Sequence, residues 1–258
     1  MSENAKEIRK TIIEMANRSK SPHVGSALSC ADILSALYFR VMRQESERHD
    51  YFLLSKAHAA MALYATLFRK GLMSAEVIEG YYQNNGTLPA HTDRFSNEHV
   101  EISAGSLGHA LPMGIGIAHS LKLENRDERV FILIGDGETQ EGSVWESAML
   151  APRLSLESLI VLIDRNNLQG YGRASELVSF EPLKEKWASF GWEVLEIDGH
   201  DEEAIVCACK ANSTKPKAII CKTTKGKGVS FMEDELKWHY FIVQNSHKEQ
   251  ALEEISHA

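Results

Sequence analysis

In the second half of the chain, short apolar runs alternate with amphipathic segments, and no other feature narrows the fold as much. The runs cover 130–134, 159–163, 193–197 and 218–221, and residues with helical spacing lie between them at 143–153, 183–190 and 201–211. A strand buried on both faces has no polar side to show, so it reads as a nearly continuous apolar run. Strands of that kind separated by helix-length connections imply parallel pairing with crossover helices. The expected fold class is therefore α/β, an open, mostly parallel sheet with helices on both faces. Ligands of such sheets sit beyond the carboxyl ends of the strands.

The first half is less regular. Ile8, Ile12, Met15 and Ala16 recur at helical spacing and predict a helix ending near Asn17. Pro22 and Gly25 interrupt it, which sets His23 at the entrance of a second helical stretch, 30–40. A short run at 51–54, a helix over 57–69 and a small helix over 74–81 follow. Residues 86–103 have no periodicity and contain His91 and His99; loops of that length in a compact domain are usually functional or mobile. Gly105-Ser106-Leu107-Gly108 then leads into an apolar, glycine-punctuated helix, 110–123.

With 258 residues, 43% of them hydrophobic, the chain can bury one large core, and residues 1–258 are expected to form a single domain. A formal net charge of -8 repels a polyanion, and only 222–227 is locally basic, so nucleic acid is not an expected partner. Four cysteines without a CxxC pair suggest neither a disulfide framework nor a zinc site. No stretch approaches the roughly 20 apolar residues that span a bilayer, and the N-terminus is polar. A soluble, cytoplasmic protein with no membrane association is expected.

The chemistry gathers at two predicted strand ends. The first reads Ile134-Gly135-Asp136-Gly137 and the second, one crossover later, Asp164-Arg165-Asn166-Asn167-Leu168. A carboxylate from Asp136, an amide oxygen from Asn166 and a backbone carbonyl in the following turn make an all-oxygen half-shell for Mg²⁺ or Ca²⁺, with phosphate oxygens completing it. Glycines beside Asp136 admit a diphosphate close to the backbone, and the helix start that follows favours negative charge. Each tripeptide alone is more often an ordinary turn. Both occur at successive strand ends, with 28 residues between Gly137 and Asn166.

That spacing resembles the signature of thiamine diphosphate enzymes, and the likeness extends over nearly the whole chain. Ser21-Pro22-His23-Val24-Gly25-Ser26, Leu54-Ser55-Lys56-Ala57-His58-Ala59, Gly105-Ser106-Leu107-Gly108, Gly135-Asp136-Gly137 with Glu141-Gly142, Asp198-Gly199-His200-Asp201 and 225–232 with Trp238-His239 occur in the order found in transketolases. The chain resembles the N-terminal, diphosphate-binding subunit of a split, two-subunit transketolase. That resemblance implies thiamine diphosphate and Mg²⁺ (or Ca²⁺) as cofactors. It places the metal on Asp136, Asn166 and the Leu168 carbonyl. It places the diphosphate against His58, Gly137, Asn166 and His239, and the rest of the cofactor near Gly105, Ser106 and Leu107. His23, His91 and His239 are expected to face the sugar, where imidazoles bind hydroxyls and move protons. Glu141 is expected at the contact between halves of the active site.

By the same likeness, the carboxylate that activates the aminopyrimidine belongs to a pyrimidine-binding domain that this chain lacks. A partner subunit carrying that domain is implied, in a heterotetramer with two copies of each chain, acting on sugars or sugar phosphates. The chain departs from the family pattern at three places: Ala57 and His109 stand where Gly and Gln are usual, and Tyr240-Phe241 follows His239 where Gly is usual. His200 reads as a cap for the helix beginning at Asp201, and the 225–228 Lys-Gly-Lys-Gly stretch as a mobile basic segment that brings His239 inward, since it lacks nucleotide-loop spacing. Other thiamine diphosphate enzymes, such as deoxyxylulose phosphate synthases or 2-oxo acid dehydrogenase subunits, share the metal signature but not the 55–58 and 225–232 stretches. A non-catalytic homologue that keeps only the fold is the remaining alternative.

Overall fold

The computed structural model describes residues 1–45, 48–179 and 181–258. It opens with α1 (Glu3–Ser19), where the Ser2 side chain accepts from the Ala5 N–H and the whole turn-spaced set Ile8, Ile12, Met15 and Ala16 is buried. The helix runs past the expected end near Asn17 and stops where Lys20 turns left-handed. A helix that was not expected, α2 (Val24–Ser29), comes first, and the expected second helix over 30–40 is α3 (Ala31–Ala36) running directly into a π turn, Leu37–Val41. Two short strands, β1 (Gln44–Glu45) and β2 (Arg48–His49), pair antiparallel.

The main sheet begins with β3 (Tyr51–Leu54), after which come α4 (Ala60–Arg69), α5 (Ala75–Glu79) and α6 (Ala110–Leu123). The later half supplies β4 (Val130–Gly135), α7 (Gly142–Arg153), β5 (Leu159–Arg165), α8 (Ala174–Leu177), α9 (Leu183–Ser189), β6 (Glu193–Asp198), α10 (Glu202–Lys210), β7 (Lys217–Lys222) and α11 (Asn245–His257). Residues 86–103 form only turns and bends. The five strands are all parallel, in the order β3-β4-β5-β7-β6.

The apolar runs feed two cores because successive side chains leave opposite faces of the sheet. Phe131, Leu133, Ile160, Leu162 and Ile219 pack with α1 to α4 on one side. Ile132, Ile134, Val161, Ile163 and Ile220 pack with α6, α7 and α9 on the other. Edge strand β6 is only partly covered, which explains its glutamates at 193 and 196. Gly114 lets α6 lie close to the sheet: a Cβ there would stand 2.2 Å from Ile132 Cδ1. Among the described residues, no helix is long and apolar enough to cross a membrane.

Candidate cofactor and active site

The carboxyl ends of β4 and β5 are hydrogen-bonded neighbours. Gly135 pairs with Asp164, and one residue beyond, the Asp136 N–H donates to the Asp164 carbonyl at 3.2 Å. The Asp136 carboxylate accepts from the Gly137 N–H at 2.7 Å and the Asn167 N–H at 2.5 Å, so it reaches across to the second strand end. Asn167 is left-handed, and this turn brings Asn166 and Leu168 to the same cleft as Asp136. The Leu168 carbonyl accepts from Lys225 Nζ at 2.9 Å.

Among the described residues, no group of three or more His, Cys, Asp or Glu side chains forms a metal centre. The set at 136, 166 and 168 has one carboxylate and two neutral oxygens, a composition suited to a hard dication whose other positions are filled by phosphate oxygens. Its electrostatics agree. Asp136 is almost fully buried and, among the described residues, makes no ion pair. Burial, then the nearby Asp164, push its carboxyl up to about 6. A buried carboxylate held only by backbone N–H groups is short of positive charge, so the residues present fit the implied cation.

Beneath this oxygen set lies a buried polar network. Lys56 and Asp164 form an ion pair in which both side chains are essentially inaccessible. Asp164 also accepts from the Ser29 hydroxyl at 2.7 Å, from Thr223 Oγ1, and from Asn166 Nδ2 at 3.2 Å. Burial alone would raise the Asp164 carboxyl; Lys56 and these donors outweigh it and hold the group below its ordinary range. Burial likewise opposes charge on Lys56, and Asp164 reverses the balance.

The cleft, of about 410 Å³, takes in His23, His58, His91, Gly105, Leu107, Asp136, Gly137, Glu141, Asn166, Leu168 and His239. Of the expected site residues only Ser106 lies off its lining, between two that line it. Four imidazoles cluster in the cleft: the His23 ring centroid is 5.0 Å from that of His239, 5.4 Å from His58 and 6.1 Å from His91. His23 takes a left-handed conformation at the start of α2, and its N–H donates to the His239 carbonyl at 2.9 Å. Such backbone strain in a non-glycine residue concentrates at functional sites. Burial, then neighbouring His91 and Lys225, lower His23 to about 4; burial, then Lys225 and His23, lower His239 to about 3. His58 falls well below the ordinary histidine range, chiefly by burial, and His91 is lowered by burial as well. These rings are neutral near pH 7, each offering one donor and one acceptor.

Several lining residues were given no individual role by sequence: Ser26, Lys56, Glu138, Gln169 and Lys225. Lys225 is buried, and its Nζ lies 2.7 Å from His239 Nδ1. Burial, then Lys56, lower its ammonium to about 7. Glu138 accepts from Ser55 Oγ and from the Gly108 N–H at 2.8 Å, which ties the 105–108 loop to the end of β4. Sequence neighbourhood was the only available signal for Ser26 and Lys225, since both lie inside family-like stretches. The reading of His200 needs correction. Asp201 caps α10, accepting from the Glu203 and Ala204 N–H groups, while the His200 ring bridges Asp32 and the Thr224 N–H.

Residues 1–251 match the family described as "Transketolase, thiamine diphosphate binding domain". The chain belongs to the transketolase family. It is 38% identical over 256 residues to an apulose-4-phosphate transketolase subunit of Phocaeicola vulgatus, covering 96% of this chain and 91% of that protein. It is 37% identical over 240 residues to the 6-deoxy-6-sulfo-D-fructose transketolase subunit SqwG of Clostridium sp., covering 90% and 87%. These near full-length matches make it an N-terminal subunit of the split transketolase type, within a family of transferases. The solved transketolase of Campylobacter jejuni superposes with a TM-score of 0.87 at 30% identity, over 98% of this chain. The chain spans only 42% of that longer transketolase. The open parallel sheet expected from the strand pattern is observed, and the thiamine diphosphate-binding fold implied by the resemblance is the fold of this family.

Proposed function

We propose that this transketolase chain binds thiamine diphosphate through a divalent cation, Mg²⁺ or Ca²⁺, and transfers a two-carbon ketol unit from a ketose to an aldose together with a partner subunit. The observation that carries the reading is the meeting of Asp136, Asn166 and the Leu168 carbonyl at adjoining strand ends, with a buried carboxylate at the centre that makes no ion pair among the described residues. In this reading those three groups hold the cation. His58, Gly137, Asn166 and His239 meet the diphosphate, and Gly105, Ser106 and Leu107 the remainder of the cofactor. When bound, the cofactor supplies the electron sink for carbon–carbon cleavage. The chain's own part is to anchor it and, through neutral His23, His91 and His239, to hydrogen-bond sugar oxygens and move protons.

Residues 1–258 would then be one diphosphate-binding domain. The pyrimidine-binding domain and its catalytic carboxylate would come from the partner, in a heterotetramer with two copies of each chain, located in the cytoplasm. Glu141, which opens α7 and lines the cleft, stands where the halves of the active site would meet. Met113 on α6 and Met149 and Leu150 on α7 are exposed, and in this reading they are the apolar side chains offered to that partner. The names of both relatives point to ketoses bearing a phosphate or sulfonate, which supports an anionic sugar donor.

The test is a ketol-transfer assay on the chain alone and on the chain with the pyrimidine-domain protein, using ketose phosphate donors and pyruvate as a control donor. Activity is expected only in the mixture and only with ketoses. Substantial turnover by the chain alone would refute the partner requirement, and cofactor binding unchanged by Asp136→Ala in the complete assembly would refute the site.

A further inference from the structure

The loop after β7, residues 223–229, carries Lys225, whose Nζ touches both the Leu168 carbonyl and His239. Part of what fixes this loop lies outside the cleft. The Thr224 N–H donates to His200 Nε2 at 2.8 Å, and the Lys227 carbonyl accepts from Arg9 Nε at 2.9 Å. Both side chains converge on one carboxylate. His200 Nδ1 is 2.7 Å from Asp32 Oδ2, and Arg9 grips Asp32 with two bonds, at 2.5 and 2.9 Å. Arg9 and Asp32 are buried, and neither they nor His200 line the cleft.

The partners settle the tautomer. A backbone N–H can only donate, so Nε2 of His200 must carry a lone pair; the ring proton then sits on Nδ1 and is donated to Asp32. The carboxylate therefore orients an imidazole whose other nitrogen holds the loop. The His200 backbone is itself anchored, its N–H donating to Asp198 Oδ1 at 2.8 Å at the end of β6.

We propose that His200 is a positioning residue for the cofactor site: set by Asp32 and Arg9, it holds the Thr224 N–H and so fixes the loop that aims Lys225 at the Leu168 carbonyl and His239. The assignment rests on the cofactor-site reading above, because it concerns how that site is held in shape. It requires no contact between His200 and any ligand.

The ring's two bonds can be separated in the assembled enzyme. His200→Asn keeps an amide donor near the Nδ1 position for Asp32 and loses the acceptor for Thr224. His200→Gln places a carbonyl oxygen near the Nε2 position and keeps that acceptor. At saturating Mg²⁺, His200→Asn should raise the KM for thiamine diphosphate roughly tenfold, the value of one well-placed hydrogen bond, with kcat at saturating cofactor within about twofold. Hydrogen exchange across 223–229 should quicken in the same variant. His200→Gln should restore both readouts. Equal losses in both variants, unchanged KM in His200→Asn, or a His200→Asn chain that does not fold would overturn the proposal. Should the Gln variant fail to fold for want of a donor to Asp32, exchange at the Thr224 amide in His200→Asn against wild type decides. Asp136→Ala run in parallel separates the two ideas. Lost binding there with a silent His200→Asn sinks only this inference, whereas binding retained in Asp136→Ala sinks the site itself.

Discussion

Asp164 orients the amide of Asn166: Nδ2 of Asn166 donates to Asp164 Oδ2 at 3.2 Å and to Ser29 Oγ at 3.1 Å, which leaves its Oδ1 turned toward the Leu168 N–H, 3.0 Å away. Asp164 itself is fixed by Lys56, Ser29 and Thr223. A fully buried residue that does not line the cleft thus determines which way the Asn166 amide faces, and in the proposed site which atom it would offer to the cation.

Removing that carboxylate should have two effects. Asp164→Asn strands the Lys56 ammonium in the interior, and breaking a buried pair by deleting one partner costs about 3–5 kcal/mol. It also frees the Asn166 amide to turn. Urea unfolding of the variant should show a stability loss of about that size, and calorimetry should show weakened cofactor binding in whatever fraction remains folded. Wild-type stability in the variant would mean that the pair is not the support described.

The histidine cluster predicts a pH dependence of folding. His23 and His239 are lowered to about 4 and about 3, against roughly 6.5 in an unfolded chain. Between those values the unfolded state binds more protons than the folded state, so stability rises with pH there and is lost on acidification from about 6.5 toward 4. Above about 6.5 these groups should contribute no slope. Urea titrations of the chain at pH 7.5, 6 and 5 should show the loss, and His23→Gln should make it shallower. An identical slope in the variant would show that His23 is as easily protonated folded as unfolded.

Most of this architecture was legible because its physics is local. The central strands announce themselves through burial on both faces, and the observed ranges of β4, β5, β6 and β7 contain every run expected. The helix that starts at Val24 and the change to π spacing at Leu37 were not legible, since the helical periodicity was read only from residue 30 and does not distinguish a π turn from an α-helix. Nor was α11 read, whose start is set by a reciprocal cap between Gln244 and His247 rather than by a familiar Ser or Asp signal. In the site, residues on strand ends were found by spacing. Lys225 and the Arg9–Asp32–His200 set were missed because their meaning arises only when segments far apart in sequence meet: Arg9 touches Lys227, and Lys225 touches Leu168.

Tyr240, which follows His239 in place of the usual glycine, gives a prediction about access. Its ring centroid lies 4.5 Å from that of His239 and 5.8 Å from that of His23, and a Cβ on Gly170 would meet its hydroxyl oxygen at 2.4 Å. The side chain therefore spans from the His239 segment to the turn after β5 across the cleft mouth. In the assembled enzyme, Tyr240→Gly should raise kcat/KM for bulky ketose donors relative to small ones. Gly170→Ala should push the phenol aside and change activity only while Tyr240 is present. A Gly170→Ala effect that persists unchanged in the Tyr240→Gly background would dissociate the two residues and remove the tyrosine from control of entry.

The exposed apolar side chains of Met113, Met149 and Leu150 bear on assembly. In the fold these side chains cover no core, so replacing Met149 and Leu150 together by Lys should leave the thermal midpoint of the isolated chain within about a degree or two, the behaviour of exposed positions whose changes lie within about 0.5 kcal/mol. Placed against a partner, the same ammonium groups would have to shed water without an assigned counter-charge. Mixed with the pyrimidine-domain protein and run on size exclusion with light scattering, the double variant should appear as separate components where the wild type forms the larger assembly. Ketol transfer should fall in proportion to the unassembled fraction and recover at high partner concentration. Normal assembly by the double variant would move the contact to another face of the chain.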